Sequence, residues 1–209
     1  ERSGLIPTRA WKKKRFGTSW YDGETVISAI GQGFVLTTPV QLATMAAALA
    51  NGGTGWKPQV VQKIVDLEGE TEWLLEPEKA GETAWPPRHL TPIRKAMESV
   101  VNDVGGTAWR SRLDKVRFAG KTGTAQVVRK KSDDEEEVEE EEVPYRFRDH
   151  ALFVSYAPAE NPQIAVAVVV EHGGHGSSAA APVAKAIYDA YFNGKPAGRD
   201  IAKLVPAED

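Results

Sequence analysis

The apolar positions of the chain follow helical spacing in its first half and strand spacing in its second. Residues 38–50, TPVQLATMAAALA, predict a helix with Thr38 as N-cap and Pro39 in the first turn. Asn51-Gly52-Gly53 then supplies the stop. Alanines on several faces imply close packing. Residues 91–103, TPIRKAMESVVND, repeat that grammar, with Thr91 as cap, Pro92 at the first position and Gly105-Gly106 beyond the end. Their buried stripe is expected to be Ile93, Met97 and Val100 or Val101. Residues 59–66 and 71–76 flank Glu68-Gly69-Glu70 as a hairpin. Residues 1–24 read as irregular, punctuated by Gly4, Pro7, Gly17 and Gly23.

Three strands follow, about 116–128, 151–157 and 163–171. The short connection PAENP joins the last two, so they should pair antiparallel. The third, QIAVAVVVE, is nearly continuous in apolar residues, as expected of a strand buried on both faces. A final helix, about 181–192, has Pro182 near its start and Asn193-Gly194 at its end. Val183, Ile187, Ala190 and Tyr191 form its expected buried stripe. Helices, then an antiparallel sheet, then a helix make an α+β fold. The sequence carries no internal repeat.

Composition narrows the classes. A chain of 209 residues can bury a sizeable core. It holds no apolar run long enough to span a bilayer and no apolar leader segment at its start. Without cysteine it has no disulfide, thiolate metal site or Cys nucleophile. Residues 133–142, DDEEEVEEEE, place nine carboxylates in ten positions; taking those nine charges out of the net −3 leaves +6 on the remainder. Such density favours a solvated, disordered loop over 130–148 and lacks the spacing of a calcium loop. RAWKKKRFG interleaves basic and aromatic residues but sits in no nucleic-acid motif, so no nucleic-acid partner is expected.

The chemistry concentrates in RFAGKTGTAQVV, residues 117–128. Gly-Lys-Thr at 120–122 suggests a phosphate loop, but that loop needs glycine five residues before Gly120, where Lys115 stands, and should open a helix. Here a β-branched strand continues. Gly31-Gln32-Gly33 lacks the third glycine of a dinucleotide fingerprint, since position 36 is Leu36. His172 and His175 lie in a glycine-rich turn with only Glu171 nearby, and they read as a turn beside the sheet rather than a metal site. Asp149-His150 reads as structural. Neither cofactor nor metal is expected.

Lys121-Thr122-Gly123 matches one of three signatures of penicillin-recognising serine enzymes, the others being S-x-x-K and S-D-N or a variant. Lys121 supplies a cation for a substrate carboxylate, Thr122 and Thr124 supply hydroxyls, and Gly123 lets a ligand approach the backbone. An edge backbone can pair with an extended peptide. The wider sequence sharpens this. SGLIPTRAWKKKRFG, WYDGETVISAIGQGFVLTTPVQLATMAAALANGG, VVNDVGGTAW, FAGKTGTAQVV, HALFVSYAP and IAVAVVVEHGG occur in that order. Together they resemble the class B penicillin-binding proteins, most of all the elongation-type penicillin-binding protein 2 group.

The resemblance implies a transpeptidase fold of the serine β-lactamase type, with an antiparallel sheet packed between helices. It implies a D,D-transpeptidase (or D-Ala-D-Ala carboxypeptidase) that acylates a serine with a D-Ala-D-Ala stem peptide or with a β-lactam. The Thr124 backbone N–H would be one oxyanion-hole donor. A membrane anchor, a catalytic domain on the periplasmic side and a glycan polymerase as partner are further implications. No serine of the chain is followed by Lys three residues on, and no Ser-x-Asn occurs. In the family both motifs precede this region. Residues 1–209 are therefore expected to be the C-terminal portion of one transpeptidase domain, incomplete at its N-terminal side and inactive alone. Its last strand is expected to need a covering partner along its apolar edge. The alternative is a non-catalytic module that grips stem peptides or β-lactams; a β-lactamase or β-lactam sensor shares only Lys-Thr-Gly.

Overall fold

The computed structural model describes residues 3–66, 72–83, 85–127 and 143–194. They form two compact units, divided between Leu42 and Ala43.

The first unit contains helices α1 (Arg9–Phe16) and α2 (Asp22–Ala29) and an antiparallel bridge between Leu5 and Leu36. These helices correct the reading of residues 1–24 as irregular. Thr8 caps α1, its Oγ1 accepting from the Trp11 N–H at 3.0 Å, and Gly17 closes it in the left-handed region at φ 71°. The glycine marks a helix end, not a loop. Lys12 of α1 is buried, its ammonium 2.6 Å from Glu24 Oε2 and 4.1 Å from the centre of the Tyr21 ring.

Helix α3 (Pro39–Asn51) runs across the division and starts as its sequence predicts. Thr38 Oγ1 accepts from the Gln41 N–H at 3.2 Å while Gln41 Oε1 accepts from the Thr38 N–H at 2.9 Å, a reciprocal capping box.

The second unit continues through short strands β1 (Thr54–Trp56), β2 (Lys63–Val65), β3 (Glu72–Leu74) and β4 (Lys79–Glu82). β2 and β3 form the expected hairpin, although its Glu68-Gly69-Glu70 turn lies outside the described residues. β1 and β4 pair around that hairpin. Helix α4 spans Pro87–Asn102, so it begins before Thr91, and Pro92 lies inside it. Pro86-Pro87 opens the helix instead. Pro92 has no N–H for the Arg88 carbonyl, but Arg88 is exposed and water can meet it. Leu90, Met97 and Val101 are buried and Ile93 is 47% exposed: Leu90, one heptad before Met97, takes the inward place on the added first turn.

Strands β5 (Ala119–Ala125), β6 (His150–Ala157) and β7 (Ile164–Val170) make one antiparallel sheet in that order. The ladder pairs Thr122 with Phe153 and Phe153 with Val168. β5 is thus shorter than 116–128, and residues 128–142, including the acidic tract, lie outside the described residues. Of the expected 130–148 loop, Tyr145–Phe147 form a 3-10 turn.

Strand alternation gives the sheet two covered faces. On one, Phe118, Phe153, Val166 and Val168 pack with Ala181, Ala184 and Tyr188 of α5 (Ala181–Asn193). On the other, Ala119 and Tyr156 pack with Ala50 of α3 and Met97 of α4. The antiparallel sheet therefore lies between helices, as an α+β fold. Two expectations need correcting. β7 is not fully buried on both faces, since Val169 is 37% exposed. In α5, Ala181, Ala184 and Tyr188 are buried, Val183 and Ile187 of the expected stripe are half-buried against the same core, and Tyr191 is 55% exposed. Tyr188 Oη donates to Ser155 Oγ at 2.7 Å inside this core.

Candidate active-site strand

β5 carries Lys121, Thr122, Gly123 and Thr124. Among the described residues it pairs only with β6, so its other side is a sheet edge. Alternation separates the four residues. Lys121 and Gly123 share the Tyr156 face, whereas Thr122 and Thr124 share the α5 face. The Lys121 ammonium is nevertheless drawn along the strand, where Nζ donates to the Thr122 carbonyl at 2.7 Å. Cation and hydroxyl thus meet near one stretch of backbone despite leaving on opposite faces.

Two segments hold this strand from the α5 side. The chain leaves α4 and turns at Gly105, φ 91°. It then folds Gly106 over the helix end, so close that a Cβ there would lie 2.4 Å from the Val100 carbonyl. The turn brings Thr107 Oγ1 to 3.3 Å from Thr122 Oγ1. Asn102 fixes the same corner, its Nδ2 donating to the carbonyls of Glu98 and Phe118 at 2.8 Å each. The second segment is the wide helical turn Gly176–Ala180, which lies against β5 and β6. A Cβ on Gly176 would sit 2.3 Å from the Leu152 carbonyl oxygen and 2.7 Å from that of Gly123. Only glycine lets the segment rest on the strand backbone at that point.

Reading the sequence residue by residue missed Thr107, Asn102 and Gly176. The paired glycines before Thr107 and the Gly-His-Gly run before Ser177 were the available signals: both mark close backbone approach, though not what is approached.

At the far end of β5, His150 and His172 are tied to the backbone. His150 Nδ1 accepts from the His172 N–H at 2.9 Å, and His172 Nδ1 lies 3.0 Å from the Arg148 carbonyl. Asp149 Oδ1 accepts from the Val127 N–H at 3.2 Å. His150 and His172 stack edge to face at 4.7 Å. Among the described residues no three His, Asp or Glu side chains are grouped to hold a metal ion, and none of the described helices is long and apolar enough to cross a membrane.

Comparison with known proteins gives a consistent outcome. Residues 1–189 match the penicillin binding protein transpeptidase domain. Peptidoglycan D,D-transpeptidase MrdA of Haemophilus influenzae is 37% identical over 92% of the chain. The chain spans 29% of that relative's length. Pseudomonas aeruginosa PBP2, solved in complex with WCK 5153, superposes with a TM-score of 0.72 at 39% identity, covering 92% of this chain and 39% of that one. Penicillin-binding protein A of M. tuberculosis, solved as a ceftriaxone acyl-enzyme complex, gives a TM-score of 0.63 at 27% identity, covering 79% of this chain and 35% of that one.

Proposed function

The chain belongs to the penicillin-binding protein transpeptidase family, and from that premise we propose that it forms the carboxylate-gripping wall of a peptidoglycan D,D-transpeptidase. The single observation that carries this reading is the open edge of β5, with the Lys121 ammonium lying along it at the Thr122 carbonyl.

An extended stem peptide adds to that edge through main-chain hydrogen bonds. Its terminal carboxylate draws the Lys121 ammonium away from the neutral carbonyl, because two opposite full charges attract more strongly than a charge and a dipole. The Thr122 hydroxyl, set by Thr107, donates to the same carboxylate. The Thr124 N–H then faces the scissile carbonyl oxygen, one donor of an oxyanion hole. Gly123 keeps the approach free of a side chain. A β-lactam presents a carboxylate and a strained amide in the same arrangement and takes the same place.

Acyl transfer also needs a serine activated by a base, and no serine of this chain has a lysine three residues on. We therefore assign the nucleophile, its lysine and the second motif to other sequence of the full-length protein, and expect this chain alone to stay unlabelled by penicillin. Membrane anchoring, a periplasmic placement and a glycan-polymerase partner belong to the same proposal, on the family likeness. In the full-length protein, Lys121→Ala should lower the acylation rate with fluorescent penicillin by about a hundredfold or more, at an unchanged melting temperature. Acylation near the wild-type rate would refute the role given to the strand.

A further inference from the structure

Beside Thr122 lies an open groove of about 630 Å³, within the range of roughly 300–1,000 Å³ usual for ligand sites. One wall is the Gly105–Ser111 turn, and the other is the Ser177–Lys185 stretch. Its lining includes two cations, Arg110 and Lys185, and four hydroxyl residues, Thr107, Ser111, Ser177 and Ser178, with no carboxylate. Neither cation is ion-paired to any described residue. Lys185 stands in the second turn of α5, and the first turn of that helix holds no acidic residue. The floor is firm: Arg112 lies 3.9 Å over the Trp109 ring, and its Nη1 donates to the Trp109 carbonyl at 3.1 Å.

Thr107 is common to the groove and the strand, since it lines one and touches Thr122 of the other. From Thr122 to Thr124 is two residues of strand, about 7 Å. That distance is close to the reach of one amine-bearing side chain.

We propose that this groove is the acceptor site. It holds the second stem peptide through carboxylates placed at Arg110 and Lys185, while that peptide's side-chain amine reaches the acyl group near Thr124. The inference rests on the transpeptidase reading above. In the step it serves, the amine nitrogen attacks the acyl carbonyl carbon and a C–N amide bond forms. The C–O ester bond to the serine breaks, and the amine's proton passes to the departing serine oxygen.

The test uses the full-length protein bearing Arg110→Glu with Lys185→Glu, beside the conservative pair Arg110→Lys with Lys185→Arg. Acylation by fluorescent penicillin reports the donor half alone. A donor thioester offered with an amine-bearing stem peptide reports partition between aminolysis and hydrolysis. The charge-reversed protein should acylate within about twofold of wild type, while the acceptor KM rises and the aminolysis-to-hydrolysis ratio falls, each by about tenfold. The conservative pair should keep both near wild type, and an N-acetylated acceptor should compete with aminolysis without slowing acylation. An unchanged acceptor KM in a protein that still acylates overturns the acceptor site and leaves the transpeptidase reading standing. Acylation falling in step with aminolysis also overturns it, placing the two cations in donor binding or in the fold. A wild-type protein that is never acylated overturns the transpeptidase reading itself.

Discussion

Replacing Gly176 by alanine tests whether the backbone contact behind β5 sets the site. The added Cβ would lie 2.3 Å from the Leu152 carbonyl oxygen, 2.7 Å from that of Gly123 and 3.0 Å from the Gly123 nitrogen. Nonbonded carbon and oxygen do not approach within 3.0 Å, so the wide turn must retreat from the strand by about 0.7 Å. All three atoms belong to the backbone of paired strands, so no flexible side chain can absorb the shift. Overpacking of this kind costs about 1–3 kcal/mol. A domain of this size loses about 2–4 °C per kcal/mol, which predicts a fall in melting temperature of about 4–8 °C for a mid-range cost. The functional effect should be larger than the loss of fold, because a 1 Å misplacement can lower a rate by about a hundredfold and the displaced backbone is that of Gly123. About a tenfold slower acylation of the full-length protein is expected. Gly23→Ala is the control, since a Cβ there has no neighbour within 4 Å and the position is helical. Differential scanning fluorimetry and stopped-flow acylation read the two effects. Wild-type stability and rate in Gly176→Ala would refute the reasoning.

Further predictions concern interactions away from the Lys121–Thr124 stretch. Ser155→Ala strands the buried Tyr188 hydroxyl, at about 1–3 kcal/mol, whereas Tyr188→Phe leaves Ser155 Oγ its 3.5 Å bond to the Val166 carbonyl and should cost less; the double variant strands no hydroxyl and should cost less than the two singles added, and strict additivity in a double-mutant cycle would show that the 2.7 Å bond is not formed. Burial holds the Tyr188 phenol well above its ordinary range, opposed by the Ser155 bond, so its share of stability should persist to about pH 10 and decline only beyond. In the first unit, the hydrogen bond from Lys12, then that from the Tyr21 N–H, hold the Glu24 carboxyl below its ordinary value. That contribution is present above the unfolded value near 4.5 and lost as pH falls through the lowered folded one. The stability gap between wild type and Lys12→Met should therefore narrow below about pH 4.5 in melts across pH 7 to 3, and a constant gap would refute it.

What the sequence disclosed followed from how local each signal is. Thr38-Pro39 with Gln41 is a complete helix start within four residues, and α3 begins there. Thr91-Pro92 looks the same but lies inside α4, because Pro86-Pro87 upstream already sets the helical turn. Gly17 was misread for the same reason: glycine ends helices and shapes loops alike, and only Thr8 eight residues before α1's last residue distinguishes the cases. β1 and β4 are three and four residues long and hold glycines, too short for any period to register. The site divides likewise. Lys121–Thr124 carry their chemistry in consecutive residues, and the strand was visible at once. Thr107 reaches Thr122 across fifteen positions, through a turn over the end of α4, and that proximity exists only once the helix has packed on the sheet.

The clamp between Val127 and Asp149 bears on how this gene can change. The β5–β6 ladder closes at Ala125 and His150, and the Val127 N–H to Asp149 bond closes it once more beyond the last rung. A flexible insert between Val127 and Val143 would cost about 0.6 kcal/mol for each doubling of the loop's length. Register along Lys121–Thr124 is fixed on the near side of that clamp. A reporter domain joined beyond the clamp should therefore leave the register of Lys121–Thr124 to the ladder itself.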